Sequence, residues 1–500
     1  MSEVHIQEAF TTLLCADTRQ SLCPVCLKRI AARHEADGDT IMLVKRCPQH
    51  GEFRTPVWRG EPAMQNWKKP KLPTPPAPHG TTRKGCPFDC GLCPEHNQHT
   101  CTVLFEVTSR CNLRCRFCFA SAGEEAPPPD PALDELQALM DAVRPQTGPC
   151  NVQISGGEPT MREDLPDIIR MAKERFPFVQ INTNGLHIAQ HPQLARQLAE
   201  AGLDSAFLQF DGTSDDIYKT LRGAPLLQQK LDAIRLMGEA GIGVVLVPTV
   251  VPAVNDHNLG EILKLGAKHS PVVRGVHFQP VSHFGRYPVQ AEGNISITRQ
   301  EGSMQEPPHT ARITLPEIMR NLETQTNRLV TTQDFLPPGC EHSMCSFHAN
   351  YMIRKDGTFQ RLSVQRSGCD CKPQPASKGA DAAKAFVKRQ WAAAPLQQAQ
   401  GTQAPEKSPP ALQQPHNEDT SQPEPLNDLD RFLQRAATHT FAVSAMAFQD
   451  VWNIDLERVR GCCIHVAAPD GRLVPFCAWN CTSASGKALH RDSHDRLATP

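Results

Sequence analysis

Three closely spaced cysteines form the motif of this sequence with the most specific chemistry. Cys111, Cys115 and Cys118 follow an apolar run at residues 103–107 in the order C-x3-C-x2-C. Three thiolates on one loop can ligate three irons of a [4Fe–4S] cluster, which leaves the fourth iron open to a ligand that is not protein. A structural zinc site would require four protein ligands. The spacing therefore favours a reactive iron–sulfur site.

A glycine-rich segment follows the next apolar run, at residues 152–155. It consists of Gly156, Gly157, Glu158 and Pro159. Because glycines lack side chains, we expect a ligand to lie against an exposed backbone edge here. The alternative is an ordinary turn between a strand and a helix, in which Glu158 caps the start of the helix.

Polar residues also end the later apolar runs. Asn184, Asp211 and Thr249 follow the third, fourth and fifth runs, and His277 and His283 flank the end of the sixth. The carboxyl ends of parallel barrel strands meet at one face, so these residues predict a shared pocket. The two histidines are candidates for a general acid or base, although ordinary pocket or surface positions also explain them.

Four further cysteines lie within 16 residues just before the first apolar run: Cys86, Cys90, Cys93 and Cys101. Four thiolates suffice for a fully ligated [4Fe–4S] cluster. Zinc is the rival metal, because it also binds four thiolates in a tetrahedron. A cluster is favoured because this segment adjoins the loop of Cys111, where an electron path is useful.

The distal cysteines predict a second auxiliary site. Its expected ligands are Cys340, Cys345, Cys463 and Cys477, with Cys462 as the substitute for its neighbour. These residues stand on both sides of a Gln/Pro-rich stretch, which would then be a loop between two halves of one site. The alternative is a set of unrelated reduced thiols.

A third predicted metal site lies near the amino terminus. Cys23, Cys26, Cys47 and His50 fit three thiolates and one imidazole around zinc or iron. Cys15 could replace His50 and complete a rubredoxin-like iron centre. A module of this size does not build a stable core unaided, so we expect the bound metal to stabilise it.

The alternation of apolar runs and helical segments predicts an α/β fold. From residue 102 onward, six short apolar runs alternate with segments of helical period. This pattern is typical of a parallel barrel, and six units predict a partial, TIM-like (β/α)6 barrel that is open on one side.

The composition along the chain divides it into six expected regions. They are a metal module at 1–60, a Pro-rich connector with the first auxiliary cysteines at 61–101, the barrel at 102–330, an auxiliary cluster segment at 331–373, a disordered Gln/Pro-rich linker at 374–430, and a Cys-rich segment at 431–500 that completes the auxiliary cluster.

Charge and hydrophobicity argue against several classes of protein. The 500 residues contain 52 Lys+Arg and 53 Asp+Glu, so the overall basic surplus of a nucleic-acid binder is missing. No apolar stretch is long enough for a transmembrane segment, and the first residues do not form a signal peptide. These features predict a cytoplasmic protein. Its 20 cysteines then indicate metal chemistry, since disulfides are rare in that compartment.

The combination of C-x3-C-x2-C after the first strand and Gly-Gly-Glu-Pro after the second resembles the radical S-adenosylmethionine (SAM) superfamily. The resemblance implies that the three loop cysteines are catalytic and hold a [4Fe–4S] cluster, whose open iron binds SAM. Reductive cleavage of SAM gives a 5′-deoxyadenosyl radical that abstracts a substrate hydrogen. The resemblance also implies a set of cofactor-binding residues: Phe117 near the adenine, then Gly156, Gly157, Glu158, Pro159, Asn184, Asp211 and Thr249.

A closer resemblance, to one subgroup of radical SAM enzymes, extends over nearly the whole chain. The segments SLCPVCLKRI, GCPFDCGLCPEHNQHTC, RGVHFQPVSHFGR and RVRGCCIHVAAPDGRLVPFCAWN carry it. The subgroup includes tetraether lipid synthases and methanopterin-pathway pterin methylases. Membership implies auxiliary [4Fe–4S] clusters and zinc or iron in a rubredoxin- or zinc-ribbon-like module.

The implied reaction is C–H activation followed by C–C bond formation or methylation of a small molecule. A pterin-like compound and a lipid both remain open as the substrate, and flavodoxin or ferredoxin is the expected electron donor. One alternative is a radical SAM maturase that modifies peptides. The other is a non-catalytic zinc-ribbon scaffold, which does not explain why the loop cysteines come as three.

Overall fold

The computed structural model describes residues 19–67, 69–123, 126–286, 299–300, 303–305, 312–362, 373–394 and 428–491. Cys15, Cys369 and Cys371 lie outside these residues. The described part contains a small antiparallel sheet near the amino terminus and one large mixed sheet.

The small sheet begins with four antiparallel strands in sequence order. Burial alternates along the second strand, where Ile30, Ala32 and His34 are buried, as expected for a sheet with one solvated face. Two short strands from residues 299–305 extend the sheet beside the fourth strand. The strands are β1 (Arg19–Leu22), β2 (Arg29–Asp37), β3 (Thr40–Cys47), β4 (Gly51–Arg59), β13 (Arg299–Gln300) and β14 (Ser303–Gln305).

The six barrel strands expected from the sequence are all present, and neighbouring strands pair in parallel. Their order across the sheet is the order in the chain. The strands are β6 (Thr102–Thr108), β7 (Asn151–Gly156), β8 (Phe178–Thr183), β9 (Ser205–Gln209), β10 (Gly243–Val247) and β12 (Val273–Pro280). The predicted α/β fold with six parallel barrel strands is therefore confirmed.

Later strands extend both edges of this barrel. On one side β18 (Thr440–Met446) pairs in parallel with β12, and β15 (Ser346–Ile353) and β16 (Phe359–Arg361) continue the sheet antiparallel. On the other side β19 (Ile464–Ala467) pairs in parallel with β6, followed by β20 (Leu473–Pro475). The three remaining described strands are short: β5 (Lys71–Leu72), β11 (Thr249–Val250) and β17 (Gln374–Pro375).

Helices between the strands bury apolar side chains against the sheet in one large core. The helices are α1 (Leu133–Thr147), α2 (Leu165–Arg175), α3 (Leu186–Gln190), α4 (Pro192–Glu200), α5 (Asp215–Arg222), α6 (Leu227–Glu239), α7 (Leu259–Lys268), α8 (Leu315–Gln325), α9 (Ala376–Trp391), α10 (Asp428–Thr438), α11 (Leu456–Arg460) and α12 (Phe476–Trp479). Single 3-10 turns lie at Pro159–Met161 and Thr332–Asp334.

Helix α9 corrects the predicted limits of the disordered linker at 374–430. A Cβ atom on Gly379 would lie only 2.0 Å from the carbonyl oxygen of Gly339, so the helix packs closely on the chain before Cys340. At its other end Trp391 contacts Phe207 of the barrel. The linker prediction failed here because local composition does not register packing on a distant segment. Residues 395–427 lie outside the described part.

The small sheet docks on the carboxyl-terminal segment through buried polar contacts. Lys45 of β3 is buried, and its Nζ donates to the carbonyl oxygen of Val451 over 2.6 Å. Next to this contact, Arg312 donates to both carboxylate oxygens of Asp450 over 2.8 and 2.7 Å. The Asp450 carboxylate also accepts from the backbone N–H of His283. These bonds connect the small sheet, the end of the barrel and the carboxyl-terminal segment.

Within the described part of the chain, no helix combines the length and the apolar composition needed to cross a lipid bilayer.

Replacement of Arg312 by Met should destabilise the protein by about 3–5 kcal/mol, because it leaves the buried Asp450 carboxylate without its cation. The control is Arg170→Met, which removes an exposed partner of Asp167 and should cost less than about 1 kcal/mol. Urea unfolding of the full chain measures both changes. Equal decreases in the free energy of unfolding for the two variants would show that the buried ion pair contributes no more than an exposed one.

Candidate active site and thiol groups

One cavity of about 680 Å³ runs through the barrel. Cys111, Cys115 and Cys118 lie on its wall near the carboxyl ends of the strands, as the sequence predicts. Residues of β7, β8, β9, β10 and β12 complete this part of the wall. A second set of cysteines reaches the same cavity from the amino end of β6. The cavity therefore connects two groups of thiols.

The loop that carries Cys111, Cys115 and Cys118 is fixed by backbone contacts. Cys118 and Arg286 exchange two backbone hydrogen bonds of 2.8 and 3.0 Å. The Nε of Arg286 also donates to the carbonyl oxygen of Cys115 over 2.9 Å. Burial raises the pKa of the Cys111 thiol to about 12, and nearby anionic groups add to this effect. Binding to a metal would supply the positive charge that a thiolate at this position requires.

Gly156 and Gly157 allow the end of β7 to approach the cysteine loop. A Cβ atom would lie 2.2 Å from the carbonyl oxygen of Thr108 at Gly156, and 2.2 Å from that of Arg110 at Gly157. The backbone N–H of Gly157 donates to Thr108 over 2.7 Å. The Cβ positions of both glycines thus face neighbouring backbone, so close packing requires glycine here. Both residues also line the cavity, and contact with a ligand stays a prediction.

Glu158 connects segments that lie at the carboxyl ends of the barrel strands. Its carboxylate accepts from the hydroxyl groups of Thr160 and Thr183 and from the backbone N–H of Asn184 at 2.6 to 2.7 Å. It also caps the 3-10 turn that follows, which is the alternative expected from the sequence. Asn184 in turn donates to the side chain of Asn112 in the cysteine loop over 2.6 Å. Both Glu158 and Asn184 line the cavity, so neither role excludes contact with a ligand.

Arg222 is a residue of this site that the sequence analysis missed. It is buried, lines the cavity and donates two hydrogen bonds of 2.7 Å to Asp211. Burial alone would lower the pKa of the Arg222 guanidinium, but the Asp211 carboxylate raises it above its ordinary value. Arg222 also donates to the Thr249 hydroxyl over 3.1 Å. The only sequence signal was an arginine at the end of the helix that follows Asp211.

The predicted cofactor-binding residues differ in their access to the cavity. Asp211 is fully buried behind Arg222, and neither it nor Pro159 lines the wall. The other predicted residues do line it: Phe117, Gly156, Gly157, Glu158, Asn184 and Thr249. Asp211 therefore does not contact the cavity itself but positions Arg222, which does.

The cysteines at the other end of the cavity group differently from the sequence-based expectation. The Sγ atoms of Cys101, Cys340 and Cys463 lie within 4.8 Å of one another, and all three residues are buried. The spacing in the sequence instead predicts Cys101 in the set of Cys86, and Cys340 and Cys463 in a set with Cys345 and Cys477. The correction arises because Cys101 pairs with Cys463 through a backbone hydrogen bond of 2.8 Å at the start of β6 and β19.

Cys86, Cys90 and Cys93 are buried together below α11. Burial raises the pKa of the Cys90 thiol, and among the nearby groups that raise it further are Cys86, Cys93 and Cys462. Cys101 does not belong to this set, and the small pocket beside the three thiols is also lined by His96.

Cys345 and Cys477 stay outside the group of Cys101, Cys340 and Cys463. The guanidinium of Arg458 donates to the Sγ of Cys345 over 3.3 and 3.4 Å, and the Sγ of Cys477 accepts from the backbone N–H of Gln449 over 3.2 Å. Their thiols therefore have other partners, and the predicted set of Cys340, Cys345, Cys463 and Cys477 is not assembled.

The four residues predicted for the amino-terminal metal site do come together. The ligand atoms of Cys23, Cys26, Cys47 and His50 lie within 4.8 Å of one another. The Nδ1 of His50 is 3.4 Å from the Sγ atoms of Cys23 and Cys47. Three thiolates and one imidazole match the ligand set of structural zinc.

The middle of the cavity combines aromatic and amide side chains. The rings of Phe207 and His277 stack with centroids 5.5 Å apart, and Trp391 lies 4.9 Å from Phe207. Burial lowers the pKa of His277 to about 4, so this ring is neutral at physiological pH. The Nε1 of Trp391 and the Oδ1 of Asn182 are buried and have no hydrogen-bond partner among the described residues. Both residues also line the cavity.

Replacement of Gly157 by Ala should displace the cysteine loop, because the new Cβ atom would collide with the backbone of Arg110. We expect less iron per chain after anaerobic reconstitution and weaker SAM binding. The control is Gly461→Ala, where the closest atom to an added Cβ lies 3.6 Å away. A Gly157→Ala protein with unchanged iron and SAM affinity would show that the close approach is dispensable.

Comparisons with known proteins agree with this geometry. Residues 105–266 match the Radical SAM superfamily, and residues 15–59 match a family described as the HMPTM N-terminal zinc ribbon domain. The chain is 33% identical over 487 residues to a 7,8-dihydro-6-hydroxymethylpterin dimethyltransferase of Methanocaldococcus jannaschii. This alignment covers 92% of each chain.

Two other matches cover a smaller part of the chain. A GTP 3′,8-cyclase of Limosilactobacillus fermentum is 33% identical over 186 residues, which are 36% of this chain and 55% of the cyclase. A solved structure of Streptococcus suis SuiB bound to S-adenosylmethionine is 14% identical, with a TM-score of 0.35 over 47% of this chain and 49% of SuiB. The match to the pterin dimethyltransferase over nearly the full length decides the assignment. The chain belongs to the radical SAM superfamily, in the family of that dimethyltransferase, and is an enzyme with a [4Fe–4S] cluster and SAM as cofactors.

Proposed function

We propose that this radical SAM enzyme methylates a carbon atom of a small, reduced pterin-like heterocycle. The observation that carries the proposal is the cavity, which places aromatic and amide side chains beside the cysteine loop. The pterin dimethyltransferase that aligns with 92% of the chain supports the same substrate class. A scaffold without catalysis does not agree with membership of this enzyme family.

The residues at the carboxyl ends of the strands fit the radical SAM cofactors. We assign the cluster to Cys111, Cys115 and Cys118, because three thiols on one fixed loop leave one iron for SAM. When bound, these cofactors supply the 5′-deoxyadenosyl radical that removes a hydrogen atom from the substrate. Replacement of that hydrogen by a methyl group further requires a methyl donor, for which we propose a second SAM molecule, and one more electron from the reductant. Arg222 is a buried, fixed cation beside this loop, so its guanidinium can bind the carboxylate of SAM. Phe117 also lines this wall and can contact the adenine.

The proposed substrate position lies between the loop and Trp391. A pterin is flat and carries hydrogen-bond donors and acceptors around its edge. The stacked rings of Phe207 and His277 can contact its face, while Trp391 and Asn182 can satisfy its edge. Gln153, Gln209 and Gln279 provide further amides on the same wall. A lipid chain has no groups that could form hydrogen bonds with the polar side chains of this wall, so it is the less suitable occupant.

The auxiliary thiols also allow a proposal for how electrons reach the cluster at the cysteine loop. We assign one auxiliary cluster to Cys86, Cys90 and Cys93 and another to Cys101, Cys340 and Cys463. The thiols in the described part of the chain are free, as expected for a protein of the reducing cytoplasm. Flavodoxin or ferredoxin is the proposed reductant.

The radical chemistry is tested by Cys115→Ala, which removes one of three proposed iron ligands. We expect this variant to form no 5′-deoxyadenosine from SAM and dithionite under anaerobic conditions. The matched control is Cys150→Ala, because Cys150 is a buried thiol that does not line the cavity, whereas Cys115 does. Unchanged SAM cleavage by Cys115→Ala would exclude the assignment.

The substrate class is tested by Trp391→Phe, which removes the indole N–H and keeps an aromatic ring. Loss of one hydrogen bond worth about 1 kcal/mol should weaken binding of 7,8-dihydro-6-hydroxymethylpterin roughly fivefold. Trp452→Phe is the control, since its Nε1 also has no partner among the described residues but it lies outside the cavity wall.

Titration calorimetry measures the dissociation constants of the wild-type protein and both variants. Equal constants would argue against the proposed pterin position. Absence of any methylated pterin, together with modification of an added peptide, would favour the maturase alternative.

A further inference from the structure

We infer that the surface around Cys86, Cys90 and Cys93 is the docking site of a small acidic protein that carries one low-potential electron. This inference rests on the proposed function, which requires that electron. The reduced carrier would lose one electron to a cluster held by these thiols, and the electron would serve the reductive cleavage of SAM. We call this region the entry surface, and it consists of residues 83–95 with the side chains of Arg29, Arg460 and Arg472.

The three thiols lie just below the surface and away from the substrate cavity. Their side chains are buried, but Lys84 and Pro94, which flank the thiol segment, are exposed. None of the three thiols lines the cavity, whereas Cys101, eight residues after Cys93, does line it. A metal group at this position therefore has no contact with a substrate in the cavity, so electron supply is the role that its position favours.

The thiol segment also adjoins the thiols that reach the cavity. His96, just after the segment, has its Nε2 atom 2.9 Å from the carbonyl oxygen of Cys462. The next residue, Cys463, accepts a backbone hydrogen bond of 2.8 Å from Cys101. An electron that arrives at the entry surface is therefore close to the second group of thiols.

Three arginines from distant parts of the chain converge on the thiol segment. Arg29 of β2 and Arg472, just before β20, donate to backbone carbonyl oxygens of the segment over 3.3 and 3.1 Å. Arg460 at the end of α11 forms an ion pair of 3.2 Å with Glu95. These contacts hold the segment in place, and they also fix three positive charges around the thiols.

Positive charge exceeds negative charge on the entry surface, although the whole chain has a net charge of −1. Arg83 and Lys84 are exposed and add two cations to the three arginines. The connector that leads to them, residues 69–84, contains no Asp or Glu. Three carboxylates lie nearby, of which two pair with arginines and the third accepts from backbone N–H groups of the segment: Glu95, Asp470 and Asp89.

This arrangement favours an acidic electron carrier as the partner. Complexes between electron-transfer proteins are small and weak, so exposed cations without an apolar groove are sufficient. Opposite charges attract the two proteins and orient them as they meet. A nucleic acid would also match the charge, but it supplies no electron to the thiols below. Arg114 and Arg116 of the cysteine loop are exposed as well and form the rival docking surface.

The test measures binding of two acidic carriers, a flavodoxin and a ferredoxin, to the full-length, anaerobically reconstituted protein. Microscale thermophoresis at about 0.05 and about 0.3 M NaCl should show weaker binding at the higher salt concentration. At low salt the variant Arg83→Glu with Lys84→Glu should bind about tenfold more weakly than the wild type. The matched control, Arg196→Glu with Lys268→Glu, reverses two exposed cations on α4 and α7 and should bind like the wild type.

Electron transfer provides a second measurement. Oxidation of the reduced flavodoxin, followed by absorbance in a stopped-flow instrument, should be slower with Arg83→Glu, Lys84→Glu than with the wild type or the control. Dithionite requires no docking surface, so with this reductant the same variant should cleave SAM at the wild-type rate.

Three outcomes would overturn the inference. The first is equal affinity of the wild type and the Arg83→Glu, Lys84→Glu variant for both carriers, or no binding of either carrier. The second is a loss of binding only in Arg114→Glu with Arg116→Glu, which would place the carrier at the cysteine loop. The third is tighter binding of a short DNA duplex than of either carrier. Absence of SAM cleavage by the wild type with dithionite would instead refute the proposed function, whatever the carriers bind.

Discussion

The architecture of the active site depends on one close approach between two backbone segments. The ends of β6 and β7 come together because Gly156 and Gly157 lack side chains at points where a Cβ atom would overlap the carbonyl groups of Thr108 and Arg110. The register shifts by one residue just there, near Glu106. Such irregularities redirect the chain at functional sites. The loop that carries the three cysteines starts from this point, so its position relative to the cavity follows from the glycines.

The thiol groups impose a second constraint, which acts over long distances in the chain. Cys101, Cys340 and Cys463 come from three segments that only the folded barrel brings together. A metal that binds them would add its binding free energy to the stability of the fold.

Local patterns in the sequence predicted much of this architecture. The six parallel strands, the Cys111 loop and the set of Cys23 and His50 all depend on residues that are close in sequence or on a regular period. The groups formed by distant cysteines were predicted wrongly, because spacing favours neighbours in sequence. Cys101 is eight residues from Cys93 but is packed against Cys463. Arg222 was missed for a similar reason, since only its pairing with a buried carboxylate distinguishes it from a surface arginine.

The transfer of hydrogen from substrate to cofactor tests the central claim most directly. The wild-type enzyme would be incubated anaerobically with SAM, dithionite and 7,8-dihydro-6-hydroxymethylpterin that carries deuterium on its ring carbon, and the 5′-deoxyadenosine would be analysed by mass spectrometry. The account predicts deuterium in the 5′-deoxyadenosine in proportion to the methylated pterin formed. Methylated pterin without deuterium in the 5′-deoxyadenosine, or SAM cleavage that the pterin does not influence, would contradict it.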